Sequence, residues 1–432
     1  MQLPQITAQS VAGKGGVRVS ASDVLGLVPG HPPVRSLYIH TPFCARKCHY
    51  CDFYSFVDTR DQQAAFIERL TSELLVLAPH CGPLRTLFIG GGTPSLLRPE
   101  LWERLLRTLR DRFDLSAIHR SERDELGAAE FTVECNPESA SLELLHALRA
   151  GGVNRVSIGA QSFNHRHLKT LERWHDPENV ERAVESARRA GIPRQSIDLI
   201  FAIPGQTLEE WDEDLRRALA LKTTHLSCYN LTYEPNTAMT QRLSMGEFVP
   251  SAEELEEQMF THTAAALAAA GLRRYEVSNF AAPGDESRHN IAYWVQEQWL
   301  AAGPSASAHV WAGADMQRGS ARWKNVPRLG DYLESAGSSP AVDVEPPDPA
   351  RLVRERIMMG LRLDRGMDIA RLLQDAELGV PGSADKLSRR AGRLAEQGLL
   401  FDSDGRWRLT ERGLLMCDGA AAQLMACVSW PA

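Results

Sequence analysis

Short apolar runs alternate with longer amphipathic stretches between residues 36 and 280. The short runs are rich in β-branched residues, which is typical of strands, and the stretches between them have the spacing of helices. In the stretch from Gln62 to Leu77, for example, Phe66, Leu70 and Leu74 recur at helical spacing, so that one face of the helix is apolar. Six strands are predicted in this way: SLYIH, TLFIGG, EFTVEC, RVSIGA, SIDLIFAIP and HLSCYNL.

The alternation of strands and helices predicts an α/β fold built from six βα units. Polar residues fall at or just past the carboxyl ends of different predicted strands, namely His40, Thr93, Glu134, Gln161 and Thr232. Barrel proteins build their sites from residues at these strand ends. Because six units are fewer than the eight of a closed barrel, we expect an incomplete (β/α)6 TIM-like barrel with a lateral opening that admits a large ligand.

The chain has 432 residues, enough for a large core and an appended domain. We predict an N-terminal extension at residues 1–35, the barrel with its extension at 36–336, and a C-terminal domain at 351–432. Ser338 to Ala350 contains four prolines and few apolar residues, which is typical of a linker. A helical segment from Leu352 to Leu361 follows. The sequence LSRRAGRLAEQGLL and two short strands around Asp404-Gly405 then indicate a helical, winged-helix-like module.

Charge and hydropathy limit the partners of this chain. The formal net charge of -7 provides no cationic field that would attract a nucleic acid. The first 33 residues contain no apolar run like that of a signal peptide, and the longest apolar run elsewhere, around Ala264 to Ala270, is too short to span a bilayer. We therefore expect a cytoplasmic protein with no membrane span and no nucleic-acid partner.

Three of the eight cysteines, Cys44, Cys48 and Cys51, form a CxxxCxxC pattern directly after the first predicted strand. Closely spaced thiolates on a loop are typical ligands of zinc or of an iron-sulfur cluster. A structural zinc site has four protein ligands, so it would need His40 or His49 as the fourth. A 4Fe-4S cube on three cysteines instead leaves one iron open to another ligand, and the spacing alone leaves both alternatives open.

The cysteine loop, with Tyr50 directly before the last cysteine, resembles the signature of the radical S-adenosylmethionine superfamily. The resemblance implies a 4Fe-4S cluster on the three cysteines, with S-adenosylmethionine chelating the fourth iron through its amino and carboxylate groups. Reductive cleavage of that cofactor to a 5'-deoxyadenosyl radical is the cofactor's own chemistry. The resemblance also implies a one-electron donor such as flavodoxin or ferredoxin.

Residues suited to holding the cofactor follow other predicted strands. The glycines of GGGTP let the backbone approach a ligand closely, although a glycine turn alone is only a tight turn. Glu134 could accept hydrogen bonds from the cofactor or form an ion pair, and Asp198, in an apolar strand, needs a partner such as Arg173 or a ligand. By the resemblance, the cofactor-binding residues are Tyr38, Tyr50, Gly91, Gly92, Thr93, Glu134, Gln161, Arg173 and Asp198, with Thr232 contributing a backbone contact.

Two features indicate the branch of the superfamily. The segments GGGTPSLL, ECNPES, RVSIGAQSF, IDLIFAIPGQT, HLSCYNLTYEPNT, YEVSNFA and RHNIAYW resemble the oxygen-independent coproporphyrinogen-oxidase-like branch from about Leu37 to Asn325. The coproporphyrinogen dehydrogenases of that branch have a further cysteine two positions after the third, where this chain has Phe53. Cys-Asp-Phe, together with an HNxxYW pattern, is instead similar to the HemW heme chaperones.

This resemblance implies a protein that binds heme and transfers it to an acceptor protein, for example a respiratory one. Histidine is a common axial ligand of heme iron, and aromatic rings can cover the porphyrin. The heme-binding candidates are therefore His289, Asn290, Tyr293 and Trp294, with His309 as a competing ligand; alone, the pattern would be a helix start with two core aromatics. The alternative function is oxygen-independent coproporphyrinogen III dehydrogenation, and we identify no catalytic residue.

Overall fold

The computed structural model describes residues 19–314 and 318–428. The chain divides into two compact units. Of the described residues, the first unit contains 19–40, 65–84, 292–314 and 318–428, and the second contains 41–64 and 85–291. The first eighteen residues of the predicted N-terminal extension lie outside the described residues, and the predicted domain boundaries stay predictions.

The strands are numbered in chain order. They are β1 (Val34–Thr41), β2 (Phe43–Cys44), β3 (Phe56–Val57), β4 (Cys81–Gly91), β5 (Arg123–Asp124), β6 (Gly127–Ala128), β7 (Glu130–Cys135), β8 (Arg155–Gln161), β9 (Arg194–Phe201), β10 (His225–Asn230), β11 (Arg273–Glu276), β12 (Asn279–Ala281), β13 (Leu300–Ala302), β14 (Ser307–Trp311), β15 (Ser320–Asn325), β16 (Ala341–Glu345), β17 (Met367–Asp368), β18 (Leu400–Ser403) and β19 (Arg406–Leu409).

The α-helices are numbered in the same way. They are α1 (Ala21–Leu25), α2 (Gln63–Leu77), α3 (Pro99–Arg112), α4 (Ser116–His119), α5 (Leu142–Ala150), α6 (His165–Thr170), α7 (Glu178–Arg189), α8 (Leu208–Ala220), α9 (Ala238–Ser244), α10 (Glu253–Ala269), α11 (Arg288–Trp294), α12 (Leu329–Glu334), α13 (Pro349–Gly360), α14 (Ile369–Gly379), α15 (Ser383–Glu396), α16 (Glu411–Leu415) and α17 (Cys417–Met425). Within the described parts of the chain, no helix combines the length and apolarity needed to cross a membrane.

The sheet of the second unit is mostly parallel, which confirms the predicted α/β class. Its strands follow the order β11-β12-β10-β9-β8-β7-β4. From β4 to β10 each neighbouring pair is parallel, whereas β12 runs antiparallel to both β10 and β11. Five of the six predicted strands are β4, β7, β8, β9 and β10. The sixth, SLYIH, lies within β1, which pairs in parallel with β13 in the first unit.

Helices cover this sheet because their apolar positions recur at helical spacing. In α7 the buried residues are Val180, Ala183, Val184 and Ala187. The next helix, α8, begins at a capping box in which the Thr207 hydroxyl and the side chain of the third helical residue satisfy each other's backbone N–H groups. In the first unit, the apolar face predicted for α2 is fully buried.

The prediction of a linker from 338 to 350 is wrong in part, because the middle of this segment forms the strand β16. This strand pairs antiparallel with β15, in the register Lys324 to Val342 and Asn325 to Ala341. Its residues retain their backbone N–H groups because the prolines flank the strand instead of interrupting it. Proline frequency indicated a linker, but the position of each proline matters more than their number.

The C-terminal part of the first unit has its own apolar core. Val353, Ile357, Leu387, Leu394 and Trp407 are among its buried residues, contributed by α13, α15 and β19.

The hairpin predicted in this region is confirmed. β18 and β19 pair antiparallel across Asp404 and Gly405, which have φ of 55° and 74°. Two consecutive residues with positive φ are what a tight two-residue hairpin requires.

Candidate functional site

A cavity of about 610 Å3 lies within the second unit, along one face of its parallel strands. Its volume falls within the range of small-molecule and cofactor sites. Because side chains alternate between the two faces of a strand, every second residue points into it. These residues are Thr132 and Glu134 of β7, Arg155, Ser157 and Gly159 of β8, Ser196, Asp198 and Ile200 of β9, and His225, Ser227 and Tyr229 of β10. Barrel interiors are usually filled by branched apolar side chains, so this polar, hollow interior is suited to a ligand.

The cysteine loop forms part of the cavity wall. Cys44, Cys48 and Cys51 all line the cavity, and each is a half-buried free thiol. The loop runs between β2 and β3, which pair in parallel, and the Phe56 N–H donates to the Pro42 carbonyl oxygen at 2.9 Å. The two ends of the loop are therefore held together, and its three soft sulfur donors face one space.

Two hydrogen-bond donors reach the cysteine sulfurs. The Thr93 hydroxyl lies 3.6 Å from Cys44 Sγ, and Arg173 Nη1 lies 3.6 Å from Cys48 Sγ. Burial raises the pKa of the Cys51 thiol, and the nearby Lys47 ammonium opposes that rise. Hydrogen bonds to cysteine sulfur stabilise the thiolate form that binds iron and tune the potential of a cluster.

The donor set is better suited to a cluster than to one ion. Among residues 19–314 and 318–428, no three His, Cys, Asp or Glu side chains converge as ligands of a single metal ion would. A cube places its three cysteines on three different irons, so it does not require such convergence. His49, a candidate fourth zinc ligand, has Nδ1 3.2 Å from Arg242 Nη1. The residues present therefore fit an iron-sulfur cluster.

Glu134 and the glycine turn after β4 contact each other. The Gly91 N–H donates to Glu134 Oε2 at 2.9 Å, and Gly91 has a φ of 107°. A Cβ at Gly90 would lie 2.8 Å from the Glu134 carboxyl group. Burial raises the pKa of Glu134 to about 7, with a smaller contribution from Asp198 and against the effect of the Gly91 hydrogen bond.

The rest of the glycine turn packs on the start of the cysteine loop. Gly92 N–H donates to the Thr41 carbonyl oxygen, and Thr93 N–H donates to the Phe43 carbonyl oxygen, both at 2.7 Å. A Cβ at Gly92 would lie 2.6 Å from the Phe43 oxygen. Glycine is therefore required here for a close approach of two backbones, which is a more specific reason than a tight turn.

Gln161 and Arg173 meet at the carboxyl end of β8. Arg173 Nη2 donates to the Gly159 carbonyl oxygen at 2.8 Å. A Cβ at Gly159 would lie 2.8 Å from that nitrogen and 2.9 Å from Gln161 Nε2. Gln161 has a φ of 64°, a strained conformation for a residue with a side chain, and such strain is concentrated at functional sites.

Asp198 has hydroxyl partners that sequence reasoning missed. Ser157 Oγ donates to its carboxylate at 2.9 Å, and Ser227 Oγ donates to it at 2.7 Å. Burial raises the pKa of Asp198, and these hydrogen bonds and Arg173 oppose that rise. The alternation along β8 and β10 could have indicated both serines, because they share the inward face with Asp198 on the strand between them.

The two predicted tyrosines lie in different units. Tyr50 lines the cavity, and burial raises the pKa of its hydroxyl well above the ordinary value. Tyr38 belongs to the first unit, where its hydroxyl lies 3.0 Å from His40 Nδ1. The predicted role of Tyr38 as a cofactor contact stays a prediction.

The heme-binding candidates of the second unit differ in position. Asn290 lines the cavity. His289 is 1% exposed, its Nδ1 lies 2.8 Å from the Thr86 hydroxyl, and its ring stacks on Phe88 at 5.0 Å between centroids. Burial lowers the pKa of His289 to about 3, so the imidazole is neutral.

The other candidates belong to the first unit. Tyr293 packs against Trp299 with ring centroids 4.4 Å apart, and Trp294 is half-buried. His309 is buried, and its Nδ1 donates to the Glu297 carbonyl oxygen at 3.0 Å. Neither His289 nor His309 is among the described residues that line the cavity. The heme-binding assignments stay predictions.

Two exposed aromatic rings lie at the cavity surface. Phe53 is 58% exposed and Trp174 is 62% exposed, and both line the cavity. The Arg46 guanidinium carbon lies 4.5 Å from the centre of the Trp174 ring. The sequence analysis named Phe53 only because it occupies the position of a cysteine in the coproporphyrinogen dehydrogenases. It did not predict Trp174 as a site residue. Together they provide flat apolar surfaces of the kind that mark a ligand or partner site.

Comparison with known proteins gives a consistent result. Residues 38–218 match the sequence family described as the Radical SAM superfamily, and residues 348–416 match the HemN C-terminal domain. The chain is 35% identical over 379 residues to the heme chaperone HemW of Lactococcus lactis, covering 88% of this chain and 94% of that protein. It is 33% identical over 405 residues to the heme chaperone HemW of Escherichia coli, covering 91% and 99%.

A solved structure has the same fold. Coproporphyrinogen III oxidase (HemN) from Escherichia coli, a radical SAM enzyme, superimposes with a TM-score of 0.76 and covers 94% of this chain and 93% of that one. The two sequences are 24% identical. The likeness confirms the predicted radical SAM fold with its C-terminal domain.

Proposed function

Since this chain belongs to the HemW family of radical S-adenosylmethionine proteins, we propose that it is a cytoplasmic heme chaperone that binds heme and transfers it to an acceptor protein. The observation that carries the proposal is similarity along nearly the whole of both chains. The HemW relatives are matched over 94% and 99% of their length, so the family assignment extends beyond the shared cluster-binding part.

The family implies a 4Fe-4S cluster and S-adenosylmethionine, and we assign the cluster to Cys44, Cys48 and Cys51. When bound, this pair of groups supplies one-electron chemistry at the sulfonium centre, with flavodoxin or ferredoxin as the electron donor. The protein residues orient the cofactor. Glu134 accepts hydrogen bonds from an amino or hydroxyl group, and the Arg173 guanidinium binds a carboxylate. The backbone of the glycine turn accommodates the rest of the cofactor, with Tyr50, Gln161 and Asp198 around it.

Phe53 supports heme binding over porphyrinogen oxidation. It stands where the coproporphyrinogen dehydrogenases have a cysteine, and it exposes an apolar ring at the cavity surface. Heme is flat and largely apolar, so it can bury this ring and that of Trp174. Covering an exposed phenylalanine contributes about 1.5–3 kcal/mol, which corresponds to about a tenfold to hundredfold effect on affinity.

A heme titration under anaerobic conditions tests the proposal. We expect the wild-type protein to give a Soret band at a one-to-one ratio and to pass the heme to apomyoglobin, used as a generic acceptor. Phe53→Ala should weaken heme binding about tenfold or more. Phe401→Ala is the matched control, because this partly exposed phenylalanine belongs to the C-terminal hairpin and is not among the residues that line the cavity, and it should bind heme like the wild type.

The same titration tests the heme ligand. If His289 binds the iron, His289→Ala should lose the low-spin heme spectrum while Thr86→Val, which removes only the hydrogen bond to the ring, should keep it.

The enzyme alternative has a separate readout. Sustained formation of protoporphyrinogen IX from coproporphyrinogen III, coupled to release of 5'-deoxyadenosine, would establish that alternative and refute the chaperone proposal.

A further inference from the structure

The end of the cavity nearest the amino-terminal ends of the strands, which we call its floor, is polar. Arg155, Ser196 and His225 sit near the amino-terminal ends of β8, β9 and β10, and all three line the cavity. On β9, Ser196 precedes Asp198 by one inward-facing position and lies beside His225 of β10. On β8, Arg155 lies one inward-facing position lower than the partner of Ser196. Burying polar groups at this depth is costly unless each finds a partner.

Arg155 has one nitrogen without a partner. The residue is 1% exposed, its Nε lies 2.9 Å from Glu130 Oε2, and its Nη2 donates to the carbonyl oxygens of Asp285 and Glu286. In the described parts of the chain, the buried Nη1 has no hydrogen-bond partner. Buried polar groups are nearly always hydrogen-bonded, so an acceptor for this nitrogen is missing from the protein itself.

Arg155 shares one ionised carboxylate, that of Glu130, with a second buried arginine. The Glu130 carboxylate pairs with two buried guanidinium groups. Besides Arg155, Arg194 has its Nη1 3.8 Å from the same Oε2 atom. Although burial by itself raises the pKa of Glu130, Arg155 and Arg194 outweigh it and hold that pKa at about 2, so Glu130 is ionised. This pairing engages Arg155 through Nε and leaves Nη1, among the described residues, without an acceptor.

The neighbouring polar groups do not supply the acceptor that Arg155 Nη1 lacks. The carboxylate of Asp198, one layer above, accepts hydrogen bonds from Ser157 and Ser227. His225 Nδ1 lies 2.7 Å from Ser196 Oγ, and its Nε2 lies 2.9 Å from the Tyr275 hydroxyl. Burial keeps the pKa of His225 well below its ordinary value, so the ring is neutral. None of these hydrogen bonds involves Arg155 Nη1, which stays without an acceptor among the described residues.

We propose that the floor of this cavity is a carboxylate-binding subsite, in which Arg155 Nη1 donates to a propionate of the bound tetrapyrrole. The identity of the ligand rests on the proposed function, whereas the preference for a carboxylate rests on Arg155 alone. Hydrogen bonds between a guanidinium and a carboxylate are among the strong ones in proteins. A propionate that reaches the floor would orient the macrocycle relative to the cysteine loop at the other end of the cavity.

The test compares heme with its dimethyl ester, in which both propionates are uncharged, by quenching of tryptophan fluorescence in the full-length protein. We expect the wild type to bind heme about tenfold to a hundredfold more tightly than the ester. Arg155→Gln should bind both ligands with similar affinity. Arg194→Gln is the matched control, because Arg194 contacts the same Glu130 but does not line the cavity, and it should retain the preference for heme.

Circular dichroism melting of both variants checks that they are folded. If Arg155→Gln does not fold, the comparison of the two ligands in the wild type still decides, and equal affinities would overturn the inference. Equal loss of preference in the two arginine variants would also overturn it, because Arg155 would then act only through Glu130. Failure of the wild type to bind either ligand would instead refute the proposed heme-binding function.

Discussion

Replacing Glu134 with glutamine should change how the stability of the protein depends on pH. Burial raises the pKa of this carboxyl from the ordinary value of 4.5 to about 7. Between these values the folded protein holds a proton that the unfolded chain has released. Because the folded state then binds more protons, the free energy of unfolding falls as the pH rises from about 4.5 to about 7.

The magnitude follows from the difference between the two pKa values. That difference is about 2.5, and one pKa unit corresponds to 1.36 kcal/mol, so ionising Glu134 in the folded state costs up to about 3 kcal/mol. Glutamine has a similar shape and does not ionise. Relative to the wild type, Glu134→Gln should therefore gain up to about 3 kcal/mol of stability between pH 4.5 and pH 8, with the full gain reached above pH 7.

Urea unfolding at a series of pH values measures this effect. Other buried carboxyl groups, such as Asp214, also titrate, but they are common to both proteins. The difference between the two curves therefore reports Glu134 together with its interaction with Asp198. A difference that stays constant across this pH range would refute the reasoning, since it would mean that Glu134 has an ordinary pKa in the folded state.

Two further substitutions test the cluster and the cofactor site. Cys48→Ala should abolish the charge-transfer absorbance and the roughly four irons per chain expected after anaerobic reconstitution. Cys81→Ala should retain both, because burial raises the pKa of Cys81 to about 12 and keeps it a thiol; equal iron in the two variants would contradict the assignment. Gly159→Ala should displace the Arg173 guanidinium, which would lie 2.8 Å from the new Cβ, and should weaken the effect of S-adenosylmethionine on the EPR spectrum of the reduced cluster. Gly392→Ala meets nothing within 4 Å and should leave that effect unchanged; the same spectra for both would argue against a role of Arg173.

The strands could be predicted because their pattern is local. In RVSIGA and HLSCYNL, apolar and polar residues alternate with the period of a strand, and tertiary packing does not change that period. Polar positions at the strand ends identified Glu134 and Gln161 for the same reason. The structure adds only that these residues meet at one cavity.

Contacts between strands could not be predicted in the same way. The partners of Asp198 are set by the register of three strands, and Ser157 and Ser227 are 41 and 29 residues away along the chain. The role of Arg155 depends on Glu130 from the next strand. His289 was identified from a motif, but its burial depends on Phe88 and Thr86, which are distant in sequence.

The pairing of β2 with β3 has a consequence for the iron-sulfur cluster that we propose on the cysteine loop. It closes the cysteine loop at its base, through backbone hydrogen bonds that involve no sulfur. Loss of iron would therefore release a short loop, while the strands around it keep their own hydrogen bonds and core. Opening of such a small unit is separate from global unfolding. After oxidative damage, recovery would then require a supply of iron, sulfide and reductant, and the polypeptide would not need to fold again.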